Sequence, residues 1–121
     1  MFEISFKRKG RIVVARVFSR QLTDTLSVTD FGDELLAFFE DHPEAHLLLD
    51  FSSVAYMSSA MITELLRVNE RVTRSKATMR LCGFRKEIRQ IFEMMQLESM
   101  FHIEDDCKAC LKRYHKEVSD T

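Results

Sequence analysis

The short apolar run Leu47-Leu48-Leu49 constrains the fold of this chain more than any other feature. Pro43 stands before it and Asp50-Phe51-Ser52-Ser53 follow it, so the run is bounded on both sides by turn chemistry. Successive side chains of a strand point to opposite faces, and three large aliphatic residues in a row leave neither face polar. A strand of this kind is buried on both sides, which calls for a layer of helices above and below it.

The flanking segments supply those layers. Ile4 and Phe6, with Phe2, alternate with Glu3, Ser5 and Lys7, and Ile12 to Val17 is a second β-branched run, with Lys9-Gly10 between them as a turn, which predicts an N-terminal hairpin. Phe31, Leu35, Phe38 and Phe39 recur at helical spacing and predict a helix of about three turns that stops near Asp41-His42, ahead of Pro43. After a loop at Val54-Ala55-Tyr56-Met57, the residues Met61, Leu65, Val68 and Val72 predict a second helix that begins at Ser58-Ser59. Met79-Arg80-Leu81-Cys82 reads as a strand, Ile88, Ile91, Phe92 and Met95 as a helix face, Phe101-His102-Ile103 as a short strand, and Cys107, Cys110, Leu111 and Tyr114 as a last helix face. Strands separated by helices need right-handed crossovers. The fold class expected is α/β: a mixed sheet of about five strands, a hairpin first and then alternating strands and helices, covered by about four helices.

The chain of 121 residues suits one domain over 1–121, without a Pro/Gly-rich linker or repeat. Its 18 Lys and Arg against 19 Asp and Glu argue against nucleic acid or an anionic membrane as the partner and favour a protein. The alternating first residues do not read as a signal peptide, and no run approaches membrane-spanning length, so a soluble cytoplasmic protein is expected. Three cysteines, Cys82, Cys107 and Cys110, suit reduced thiols in that compartment, and a structural disulfide is not expected.

The distinctive feature is Ser58-Ser59 at a helix start, after a strand and loop, at the carboxyl end of the expected sheet, where partner and ligand sites of open α/β sheets lie. A phosphate there would meet free N–H groups and the positive end of a helix, and would add roughly −1.5 to −2 charges to the surface. The plain alternative is that one of the serines is only an N-cap. Cys107-Lys108-Ala109-Cys110, with His102 and His115 nearby, has the outline of a metal or thiol-redox centre, but the pair shares a stripe with Leu111 and Tyr114, which packing alone explains. Lys7-Arg8-Lys9-Gly10-Arg11 falls on the hairpin turn, and Glu104-Asp105-Asp106 precedes a helix whose dipole favours acids. Asp50 lacks a His-plus-nucleophile arrangement and reads as a turn residue, so no enzymatic activity and no cofactor are expected. Met57, Met61, Met94 and Met95 offer either an adaptable partner surface or core filling.

The stretch from Leu47 through Asp50-Phe51 to Met57-Ser58-Ser59-Ala60-Met61-Ile62 resembles the signature of STAS-domain anti-sigma-factor antagonists: an apolar strand ending in Asp, a loop, then Asp-Ser-Ser-Gly-Leu-Gly opening a helix. The resemblance continues through Met79 to Phe84, Glu87 to Phe92 and Met95 to Ile103, in family order over nearly the whole chain. It implies a single STAS-like domain. It also implies a switch that, unphosphorylated, sequesters an anti-sigma-factor serine kinase of the histidine-kinase-like ATPase type and so releases a sigma factor, with a phosphoserine phosphatase as a further partner. The phosphoacceptor by that match is Ser59, with Ser58 as the alternative, and the docking segment comprises Tyr56, Met57, Ser58, Ser59, Ala60, Met61 and Thr63. Ser58 stands where the family has Asp, and Met61 where it has Gly. A STAS scaffold that is never phosphorylated, and a thiol-redox or metal protein using Cys107 and Cys110, are the alternatives carried forward.

Overall fold

In the computed structural model, which describes residues 3–119, the polarity alternation of the first segment produces a hairpin. Strands β1 (Glu3–Lys9) and β2 (Ile12–Phe18) pair antiparallel from Glu3↔Phe18 to Lys9↔Ile12. The turn is the two residues Gly10-Arg11, one position later than the expected Lys9-Gly10, and Gly10 supplies the φ of +66° that such a tight turn needs. Phe2 lies outside the described residues.

A two-residue strand, β3 (Gln21–Leu22), then leads into α1 (Thr25–Asp41). Helix α1 begins two turns before its apolar stripe, because the Asp24 carboxylate accepts the Ser27 N–H at 2.9 Å and caps it. The helix is thus 17 residues long, not three turns, and it ends where Pro43 required. Strand β4 (His46–Asp50) follows, with Leu47, Leu48 and Leu49 all buried. Then come β5 (Tyr56–Met57), α2 (Ser59–Arg74), β6 (Met79–Cys82), α3 (Lys86–Met94), β7 (His102–Glu104) and α4 (Cys107–Ser119). None of these helices is long and apolar enough to cross a membrane.

The main sheet has the order β1-β2-β4-β6-β7, antiparallel at the hairpin and parallel thereafter, so β4 is the central strand as its sequence demanded. Register places Val13 and Ala15 beside Leu47 and Leu49, and these beside Met79 and Leu81, on one face. Leu35 and Phe39 of α1, Leu65 and Val68 of α2, and Ile88 and Phe92 of α3 close over that face as the main core. The other face, with Ile12, Leu48 and Cys82, is covered by α4 through Cys110, Tyr114 and Val118. Tyr114 shares a 2.6 Å hydrogen bond with Thr78 and lies under the Arg80 guanidinium, 4.2 Å from the ring centre, while Arg80 pairs with Glu117.

Two expectations need correction. The segment Tyr56-Met57 is not all loop: β5 pairs in parallel with β3, Gln21↔Tyr56 and Leu22↔Met57, as a separate two-stranded ladder. And Cys82 and Cys107 are joined as a disulfide, with Cα atoms 5.1 Å apart. They are 25 residues apart in sequence, but the last residue of β6 and the first of α4 meet at the carboxyl end of the parallel strands, a juxtaposition that cysteine counting does not reveal.

Candidate functional site at the start of the second helix

The β3–β5 ladder explains where the serines sit. Ala55 and Tyr56 donate their N–H groups to the Arg20 carbonyl, and Ser58 donates its own to the Leu22 carbonyl at 2.9 Å. This ties the loop after β4 to the chain entering α1, so α1 and α2 leave the ladder side by side at the same end. Asp24 and Ser59, each two residues beyond a ladder partner, open the two helices.

Ser59 is the first residue of α2 and its side chain is exposed. The first turn of α2 carries no acidic residue, which leaves the positive helix end uncompensated there. Ser58 occupies the N-cap position in extended conformation, yet its hydroxyl makes no cap hydrogen bond; it is buried and has no partner. The plain capping role thus applies to the position of Ser58 and not to its side chain, and Ser59 stands exposed beside it.

The rest of the expected docking segment divides by burial. Tyr56, Ala60 and Thr63 are exposed with Ser59, and Tyr56 presents a ring that is 54% exposed. Met57 and Met61 point into the main core, and Met61 is fully buried, so neither offers a surface to a partner in this conformation. Helical phase is the reason: Met61 begins the stripe that continues through Leu65, Val68 and Val72. Met94 and Met95, by contrast, are exposed, at the far end of α3.

Sequence reasoning missed two contributors to this end of the molecule. One is Asp24, whose carboxyl is held below the usual range by the Ser27 N–H; its spacing of three residues ahead of Ser27 was the available signal. The other is Leu26, an apolar side chain 72% exposed in the first turn of α1.

Behind the loop, Asp50 is buried and accepts the N–H and hydroxyl of Ser52 at 2.9 and 2.6 Å, with the Arg16 guanidinium at 3.2 Å, which is the turn role expected of it. Asp50 forms, with Cys82 and Cys107, the group of metal-ligating side chains found among the described residues. Its carboxylate is committed to Ser52 and Arg16 and its two sulfurs to each other. The expected alternative pair is not assembled: Cys107 bonds Cys82, and Cys110 is a buried free thiol whose pKa burial raises.

A family model described as the STAS domain matches residues 3–110. Among solved structures, an anti-sigma factor antagonist from Mycobacterium paratuberculosis superposes with a TM-score of 0.79 at 15% identity, over 93% of this chain and 93% of that one. An anti-sigma-factor antagonist (STAS) domain protein from Planctomyces limnophilus gives 0.76 at 15% identity, over 91% and 96%. The Bacillus cell fate determinant SpoIIAA in its phosphorylated form gives 0.66 at 15% identity, over 91% and 98%. No curated protein sequence matches significantly. At these identities the superpositions speak to fold.

Proposed function

We propose, since this chain belongs to the STAS domain family, that it is an anti-sigma-factor antagonist: a binding protein, not a catalyst, that works in the cytoplasm and is switched by phosphorylation of Ser59. Unphosphorylated, it holds a histidine-kinase-like ATPase that acts as an anti-sigma factor, and a sigma factor is released. Phosphorylated by that ATPase, it lets go, and a phosphoserine phosphatase resets it. The contact surface consists of Tyr56, Ser58, Ser59, Ala60 and Thr63, extended by Asp24 and Leu26 from the neighbouring helix.

The observation that carries this reading is the exposed hydroxyl of Ser59 on the first residue of a long helix whose first turn has no acidic side chain. Phosphate is stabilised at such an end by roughly 0.3–1 kcal/mol, enough to tolerate the modification without refolding the domain. Facing a partner, the same charge must be desolvated or must meet the partner's own charges, which shifts the bound population. SpoIIAA, which shares this fold, was solved in a phosphorylated form.

The test is incubation with the cognate ATPase and ATP followed by mass spectrometry of the peptide spanning Ser58-Ser59. Phosphate on Ser59 is expected, and Ser59→Asp should weaken the complex by at least about tenfold, or ~1.4 kcal/mol. A second reading, the unphosphorylated STAS scaffold, draws on Met61, which fills the core where family members carry Gly. Unmodified serines together with full affinity of Ser59→Asp would establish that reading instead.

A further inference from the structure

We propose that Cys82 and Cys107 form a reversible, peroxide-responsive dithiol switch that sets how firmly the loop entering α2 is held. Both cysteines lie at the corner from which that loop departs. The carbonyl of Cys82 accepts the N–H of Phe51, the first loop residue, at 2.9 Å, and the Phe51 ring stacks on Phe84 at 4.7 Å. Between them Gly83 adopts φ +80°, in a space so tight that a Cβ there would stand 2.9 Å from the Cys107 sulfur and 3.0 Å from the Ser52 nitrogen. Gly83 is thus wedged between the Cys107 sulfur and the loop's second residue, Ser52. Formation of the bond clamps the start of α4, the end of β6 and the root of the loop together.

The two cysteines differ in access, as a switch requires. Cys82 is fully buried, whereas Cys107 is partly exposed and lines an open cavity of about 550 Å³ with Asp105, Asp106 and Lys108. Hydrogen peroxide reaches Cys107 first. Its thiolate attacks one peroxide oxygen, the O–O bond breaks, and a sulfenic acid and hydroxide form, the latter taking up the thiol's proton as water. The Cys82 sulfur then attacks the sulfenic sulfur, the S–S bond forms, and a second water leaves with the Cys82 proton. Two thiols and one peroxide give one disulfide and two waters. A small dithiol reverses the step by exchange and is itself oxidised to a disulfide. Cys110, one turn along α4, is buried and raised in pKa, so it stays a thiol and does not compete. The main core, with Leu47, Leu49 and the faces of three helices, does not depend on the bond, so the reduced chain stays folded.

The experiment compares whole protein treated with hydrogen peroxide and with dithiothreitol. Peptide mapping should find Cys82 linked to Cys107 with Cys110 free. Amide exchange at Phe51 and Ser52 should be about tenfold faster in the reduced form, with β2 unchanged. The oxidised form should melt on the order of 10 °C higher, as expected for closing a loop of this length. Cys107→Ser should abolish the response and Cys110→Ser should keep it; Cys107→Ser serves if Cys82→Ser does not fold. Linkage through Cys110, absence of any linkage, or equal exchange at Phe51 and Ser52 in the two forms would overturn the proposal. The effect on partner binding rests on the reading of Ser59 above, but the exchange measurement does not: a working switch with an unmodified serine would refute that reading alone.

Discussion

At Ser58 two hydroxyl roles separate. A serine that caps a helix with its side chain costs roughly 1 kcal/mol when replaced by alanine, whereas a buried hydroxyl without a partner contributes nothing of that kind. Ser58 is of the second sort, so Ser58→Ala should leave the unfolding free energy measured in urea within about 0.5 kcal/mol of the parent or raise it. Three residues further on, Met61 fills core volume at full burial. Met61→Gly, which restores the family residue, should therefore destabilise by about 3–5 kcal/mol through cavity and helix propensity, and a loss below ~1 kcal/mol in equilibrium denaturation would contradict the packing described. The start of α2 at the paired serines was legible from the sequence around Ser59. Burial of Met57 and Met61 was legible too, from the stripe they begin, but the resemblance drew attention to them as surface. What no periodicity can show is that a hydroxyl in the N-cap position turns inward.

Elements formed by local pattern were readable in advance; elements formed by long-range pairing were not. The hairpin and the apolar faces of α1, α2 and α4 follow from polarity periods of two or 3.6 residues, and β4 from its unbroken apolar run. Strands β3 and β5 have two residues each and acquire their character only from each other, across a gap of more than thirty residues, so neither segment carries a period to read. The early start of α1 was hidden for a different reason: Thr25 to Asp30 is mostly polar, and a single cap at Asp24 holds it. Asp24→Ala should accordingly lower the melting temperature and speed exchange at the Ser27 amide, while Asp24→Asn, still a good cap, should do neither. Because this carboxyl titrates below its ordinary value, its contribution is present at neutral pH and lost as the solution is acidified through that lowered value, so the gap between the parent and Asp24→Ala should narrow in acid.

For the molecule as a whole, the unequal covering of the sheet matters. One helix, α4, seals the second face, and its hold depends on Tyr114, whose phenol is pushed up to about 12, first by burial, with the Thr78 hydrogen bond acting the other way. The folded state therefore prefers the neutral phenol: stability from this group is complete below about pH 10 and is lost as pH rises toward 12. Tyr114→Phe should cost about 1 kcal/mol at neutral pH, for the hydrogen bond, and should flatten the alkaline decline seen in denaturant midpoints between pH 8 and pH 12. The class of the fold and its central strand followed from three leucines, but the disulfide did not, since it depends on where the ends of two elements distant in sequence meet in space. The strand order has one more effect. The outer edges of β1 and β7 have no neighbouring strand among the described residues. β7 is only three residues long, and β1 carries Glu3, Lys7, Arg8 and Lys9. An incoming chain that tried to extend the ladder on the β1 side would have to strip water from a row of ions, so crowding many copies together should not zip them into fibres.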